Sequence, residues 1–141
     1  MTAEHPARAA SQRSMRAAEA GDRGAWLANF ADDAIIEDPI GRSPIDPSGR
    51  GHRGRAAIEA FWDAQIAPNR LRFEIDASYA AGLEVANVGR LVITTATGVE
   101  MTVEGVFTYR VDEAGKLVAL RSYWELDQLL ISPPPGEPTQ P

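Results

Sequence analysis

From Leu71 onward the sequence reads as strand after strand, whereas most of what precedes it reads as helix. Strand signals run near Leu71–Ala80, Glu84–Ala96, Gly98–Val111 and Leu117–Leu126. The turn sequences "ATG" (Ala96–Gly98) and "DEAG" (Asp112–Gly115) join the later ones as hairpins. Helices followed by consecutive antiparallel strands cannot build an alternating βαβ sheet. They predict an α+β domain in which a curved antiparallel or mixed sheet carries three N-terminal helices on one face. Such a sheet can wrap into a cone around a pocket.

The helical half has its own punctuation. A first helix is predicted from Ser11 to about Ala20, with Gly21 as its stop. Asp22 caps a second, "RGAWLANF", which places Trp26, Leu27 and Phe30 at core-facing spacing. "AIIED" (Ala34–Asp38) is a short strand, and Pro39 ends its ladder. A glycine- and proline-rich loop, "GRSPIDPSGRGHRG", leads to a third helix, "RAAIEAFWDAQIA", with Ile58, Phe61, Trp62 and Ile66 on one side. Residues 1–10 are expected to be a flexible arm, residues 11–131 the folded domain, and the proline-rich residues 132–141 a disordered tail.

Length and content narrow the function classes. A chain of 141 residues with 44% hydrophobic content suits one core. With no cysteine and only His5 and His52, no thiolate or histidine metal site is expected. The net charge of −6 argues against nucleic acid as a partner. No apolar run reaches membrane-spanning length and no signal-peptide core precedes the first helix, so a cytoplasmic protein without membrane attachment is expected.

The stretch "FADDAIIEDPIG" (Phe30–Gly41) holds the sharpest chemical question. Asp32 and Asp33 read as surface turn residues, but the apolar run Ala34–Ile36 leads straight into Glu37 and Asp38. Strand alternation sends Glu37 and Asp38 to opposite faces. Asp38 is either a turn-former before proline that caps the strand end, or a carboxylate carried into an apolar interior for chemistry.

Three segments, "GDRGAWLANFADDAIIEDPIG", "AAIEAFWD" and "GVFTYRVDEAGKL…SYW", together resemble the ketosteroid isomerase-like branch of the NTF2-like (SnoaL-like) superfamily, over roughly Ser11 to Leu130. The resemblance implies an NTF2-like cone. It also implies that Asp38, the aspartate of the family's "EDP" motif, is a proton-shuttling base. A base in an apolar cavity abstracts a proton beside a carbonyl and returns it elsewhere on the same face. Burial raises its basicity by disfavouring the charged form. No metal or organic cofactor is required, and a homodimer through the outer sheet face is implied.

The same resemblance exposes departures. The isomerases hold the enolate oxygen with a tyrosine on the first helix and a protonated aspartic acid on a late strand. Those positions fall here on Ser14 and Phe107, so both donors are missing. Phe30 and Trp62 stand at two further tyrosine positions. Trp124 matches an inward-facing tryptophan, and its indole N–H is a donor. Tyr109 shares strand parity with Phe107 and is expected to face inward near the rim. Phe30, Trp62, Phe107 and Trp124 are thus candidates for the pocket wall, and Ser14 and Tyr109 for polar contacts. Large aromatics such as Trp62, Phe107 and Trp124 also serve as plain core.

"GRGHRG" (Gly49–Gly54) matches the letters of a dinucleotide fingerprint, but "SPIDPS" stands where the preceding strand should be, so the nucleotide reading fails. A solvated turn capping the third helix accounts for it. Arg50, His52 and Arg53 remain candidates for meeting an anion at a pocket mouth. Three functional readings follow. One is isomerase-type proton transfer on a steroid-sized hydrophobic molecule. Another is a non-catalytic binder of such a ligand. The third is an epoxide hydrolase or cyclase, which needs a second acid after the third helix, where "APNRLRF" has none.

Overall fold

The computed structural model describes residues 4–134. Helix α1 spans Pro6–Ala20. It begins well ahead of the expected Ser11, because Pro6 sits at a first-turn position where its missing N–H costs nothing and His5 Nδ1 accepts from the Ala7 N–H at 3.1 Å. Ala7 and Ala10 are completely buried, so the stretch expected as a flexible arm is part of the packed helix from Pro6 on. Gly21 ends α1 in the left-handed region (φ 68°), as the sequence predicts.

Helix α2 (Arg23–Ala28) is capped by Asp22, whose Oδ1 accepts from the Ala25 N–H at 3.1 Å. It stops two residues short of the expected end. Asn29 is pulled out of the helix by its partners: its Nδ2 donates to the Ala10 carbonyl at 2.8 Å and its own carbonyl accepts from the Leu117 N–H at 2.9 Å. Phe30 therefore opens strand β1 (Phe30–Glu37) instead of closing a helix. Asp32 and Asp33, expected in a turn, lie within β1 on exposed positions.

After β1 come the two-residue strand β2 (His52–Arg53), helix α3 (Arg55–Phe61) and a π-helical turn at Trp62–Ile66. Four long strands follow: β3 (Arg70–Ala81), β4 (Glu84–Thr94), β5 (Glu100–Val111) and β6 (Leu117–Tyr123). A last strand, β7 (Leu130–Ser132), pairs with Glu100–Thr102 of β5. Ser132 is thus in the sheet, not in a tail, and residues 135–141 of the expected tail lie outside the described residues. No helix among the described residues is long and apolar enough to cross a membrane.

The sheet order is β2-β1-β6-β5-β4-β3, with β7 continuing beside β5. Strands β3 to β6 form an antiparallel meander, while β1 lies parallel to β6, so the sheet is mixed. A register shift between Ile75 and Ala77 bends β3 against β4. Gly89 faces Ile75 there, and a Cβ on it would run into the Glu74 carbonyl oxygen. The bend and the bare glycine let the sheet curl around its concave face. Its outer face carries Arg90 between Glu74, Asp76 and Glu104 at 3.4, 3.0 and 3.6 Å, an exposed network of small energetic weight.

The helices close the concave side. Trp26, Ile36, Ile58, Val85, Val111 and Leu117 are fully buried between the layers. Each such side chain contributes roughly 1.5–3 kcal/mol by leaving water. The predicted α+β architecture, with a curved mixed sheet and helices on one face, is the one observed.

Candidate active site

Between the helices and the concave sheet face lies a cavity of about 340 Å³. Its wall is mostly apolar: Leu71 and Phe73 from β3, Leu91 and Ile93 from β4, and Met101 and Val103 from β5. The alternation of each strand dictates this, since every second residue points inward. The helical side contributes Ala18, Trp26, Phe61 and Ile66.

Asp38 is the carboxylate on this wall, among the described residues. Strand β1 delivers it. Ile36 is buried, Glu37 turns away to an ion pair with Arg121 at 2.8 Å, and Asp38 comes next on the cavity side. The opposed directions of Glu37 and Asp38 are those the alternation predicts. The Asp38–Pro39 peptide is cis, and the Ile40 N–H then bonds to the Ser122 carbonyl at 3.1 Å. Asp38 is half-buried, with the rest of its surface giving onto the void. Burial therefore pushes its pKa up, against the opposing pull of the Trp124 indole, the Ser122 hydroxyl and the charge of His52.

The Trp124 indole N–H donates to Asp38 Oδ1 at 2.7 Å. Ser122 lies two residues earlier, completely buried, and lines the same cavity. Its hydroxyl lies near enough to act on the carboxylate, yet no hydrogen bond of ordinary geometry reaches it from any described residue. Tyr109 is buried on β5 with its side chain on the cavity, and its hydroxyl has no hydrogen-bond partner among the described residues. Burial raises the phenol pKa and the Asp38 charge raises it further, so the hydroxyl keeps its proton.

Of the sequence candidates, Ser14, Asp38, Phe107, Tyr109 and Trp124 converge on this cavity. Phe107 packs edge-on against Phe73, centroids 6.5 Å apart. Phe30 and Trp62 do not line it. Both pack against Trp26 instead, at 4.7 and 5.2 Å, and Trp26 takes the wall position in front of them. They are core, not wall. The sequence reading also passed over Ser122, although its parity with Trp124 and Leu120 in "LRSYW" carries the signal.

The loop after β1 is held from within. Asp46 accepts from the Gly49 and Gly51 amides at 3.2 and 2.8 Å and from the Ser48 hydroxyl at 2.8 Å. Burial alone would raise the Asp46 pKa, but these bonds and the charge of His52 hold it below the usual carboxylate range. The glycine amides that would cradle a phosphate are thus occupied by the chain's own carboxylate. His52 packs at a tilt against Phe61, ring centroids 5.1 Å apart, and Arg53 reaches the Asp33 carbonyl at 3.5 Å. Arg50 is exposed, and none of Arg50, His52 and Arg53 lines the cavity.

The sequence matches the family model described as SnoaL-like domain over residues 11–120. It is 32% identical over 126 residues to a steroid Delta-isomerase of Nocardioides simplex, covering 89% of this chain and 95% of that one. The fold superposes on the Delta 5-3-ketosteroid isomerase from Mycobacterium sp. with a TM-score of 0.88 and 46% identity, covering 92% of this chain and all (100%) of the other. The Mycobacterium tuberculosis protein RV0760c, in complex with estradiol-17beta-hemisuccinate, superposes with a TM-score of 0.86 and 43% identity over 90% of this chain and 99% of its own. Likeness to the epoxide hydrolase/cyclase-like enzyme SalBIII is more distant, at 21% identity and a TM-score of 0.76 over 92% of this chain and 98% of the other, and concerns the fold alone.

Proposed function

The chain belongs to the SnoaL-like domain family, in its ketosteroid isomerase-like branch, and on that footing we propose that it binds a steroid-sized hydrophobic molecule and moves a proton on it with Asp38 as the base. The observation that carries this reading is one carboxylate in a mostly apolar cavity, its pKa pushed up by burial. A carboxylate there is costly unless it has a use. Its raised basicity suits it to take a proton from the carbon beside a carbonyl, hold it, and return it to another carbon of the same ligand. The Trp124 indole fixes one carboxylate oxygen, which leaves the other for the substrate. The steroid ligand of the related mycobacterial protein supports the ligand class.

The absent donors at Ser14 and Phe107 favour a second reading, a binder of the same ligands without turnover. An epoxide hydrolase draws no support, since no second carboxylate lines the cavity among the described residues. A homodimer through the outer sheet face, where Tyr79 and Val88 are exposed, belongs to the same proposal and is checked by sedimentation.

Trp26 and Trp124 both line the cavity, so tryptophan fluorescence reports on its filling. Titration with a steroid ketone should give a saturable change at roughly micromolar concentration. A folded protein that stays silent up to the solubility limit removes the steroid-sized ligand. If ligand binds and no proton exchange beside its carbonyl is detected in deuterated water, the binder reading replaces the enzyme.

A further inference from the structure

We propose that the hydroxyls of Ser122 and Tyr109 form the site that holds the ligand's oxygen beside Asp38, in place of the two missing donors; this rests on the preceding reading of the cavity.

An unpartnered hydroxyl in a mostly apolar enclosure needs an explanation, because buried polar groups are nearly always bonded. Ser122 Oγ is one of only two buried side-chain polar atoms among the described residues without a hydrogen bond. Alanine would fill its place on the strand without that cost. Tyr109 presents a phenol where phenylalanine would pack as well. Both are on the cavity and both act electrostatically on, or are acted on by, Asp38.

The sheet register brings them together. Phe107 pairs with Ser122 and Tyr109 pairs with Leu120, so Tyr109 and Ser122 are diagonal neighbours on the concave face of β5 and β6. Side chains at that diagonal are within reach of each other, above all when one is a long aromatic. Trp124, a further donor on the cavity, is not free for a ligand because its N–H is already given to Asp38. Tyr109 stays protonated beside the carboxylate and so remains a donor. Ser122 can donate as well: its hydroxyl acts on the Asp38 charge but makes no hydrogen bond of ordinary geometry, so its O–H can turn to a ligand oxygen.

An oxygen that accepts from both hydroxyls is bound to an sp² carbon in the chemistry Asp38 would perform: a carbonyl, an enol or a phenol. As Asp38 takes the proton from the neighbouring carbon, that C–H bond pair becomes a C=C bond and the carbonyl pair moves onto oxygen. The two hydroxyls stabilise the resulting charge and keep their own protons. Asp38 then gives its proton to another carbon and the carbonyl reforms. Ligands ending in an apolar ring edge would leave both hydroxyls unpaired, so the pair also selects against them.

The test compares estradiol with 3-deoxyestradiol, which lacks the phenolic oxygen, by fluorescence titration of the wild type, Ser122→Ala, Tyr109→Phe and the double variant. The wild type should prefer estradiol by about tenfold or more, the scale of one to two well-placed hydrogen bonds. Each single variant should lose most of that preference while binding 3-deoxyestradiol within about twofold of the wild type, and the double variant should lose it all. Equal affinity of the wild type for both steroids overturns the donor pair and leaves the cavity reading standing, as does a variant that weakens both ligands alike. Failure of the wild type to bind either steroid overturns both. Should Tyr109→Phe fold poorly, Ser122→Ala, which deletes one unpartnered oxygen, decides alone.

Discussion

Trp124 and Asp38 are 86 positions apart in sequence, and their side chains meet in a 2.7 Å hydrogen bond from the indole N–H to Oδ1. The bond favours the charged carboxylate and so opposes the upward push of burial. Trp124→Phe keeps the apolar surface and removes the donor. The Asp38 pKa should then rise further above its ordinary value. Carboxyl ¹³C chemical shifts followed through a pH titration measure this directly, and an unmoved or lowered Asp38 midpoint would show that the bond does not govern its charge.

Asp38→Asn separates a base from a strand-end cap. The folded-state pKa of Asp38 is raised above 3.8, so its contribution is at its best when protonated and is lost as pH climbs from about 3.8 through the folded-state value. The variant has no such loss. It should melt as high as the wild type or higher at pH 7, by roughly 3 °C for each ~1 kcal/mol regained, and the advantage should vanish below pH of about 4. Any turnover should disappear while steroid affinity holds or improves. Lower stability at pH 7 with unchanged ligand affinity would make Asp38 a cap.

Asp46 works in the opposite sense. Its pKa is held low by the amides of Gly49 and Gly51 and the Ser48 hydroxyl, so its stabilisation is present above the unfolded value near 3.8 and is lost as pH falls towards the folded one. Asp46→Ala should cost about 2 kcal/mol at pH 7, the scale for hydrogen bonds to a charged group, and much less near pH 3. Melting curves at the two pH values check it. A penalty independent of pH would mean that the loop depends on the side chain's shape and not its charge.

Unsaturated-ketosteroid isomerisation should run below a full isomerase rate, because Ser14 and Phe107 stand where the two strong donors would be and the hydroxyls of Ser122 and Tyr109 recover only part of the factor of about a hundred to a thousand that each donor is worth. Ser14→Tyr and Phe107→Asp together should raise the rate seen in an absorbance assay. Phe107→Asp alone puts a carboxyl beside Phe73 and should destabilise the fold. A full isomerase rate in the wild type would sink the argument from the donors absent at Ser14 and Phe107.

Gly105→Ala tests how the end of β6 seats the tryptophan. A Cβ at Gly105 would collide with the Tyr123 carbonyl oxygen and stand 3.0 Å from Trp124 Cβ. The melting temperature should fall and the Asp38 titration should shift in the direction seen for Trp124→Phe. A variant that melts and titrates like the wild type would show that the strand end yields freely.

The strand parity of Phe107, Tyr109 and Trp124, and the helix stop at Gly21, were legible because side-chain direction in regular elements follows from spacing alone. Phe30 and Trp62 were not. They are large aromatics beside a third, Trp26, and only packing in three dimensions decides which of the three fronts the cavity. The early start of α1 was hidden by an alanine-rich stretch that looks solvated until Ala7 and Ala10 are seen packed. Strands β2 and β7 are two and three residues long, too short to show alternation. The Asp46 loop rests on a carboxylate reaching amides three and five residues ahead, a local bond pattern that composition does not reveal.

Strand β1 finds its parallel neighbour only in Leu117–Tyr123. During synthesis, at about 5–20 residues per second, Asp38 therefore waits several seconds in open water before the segment that encloses it has been made. Through that interval it is an ordinary surface carboxylate and no steroid has a chamber to enter. On the proposed function, ligand capture is in this way a signature of a chain whose sixth strand has been made. A hydrophobic ligand of that kind would stabilise the completed form by mass action and leave the growing one untouched, a difference set by the order in which the strands emerge.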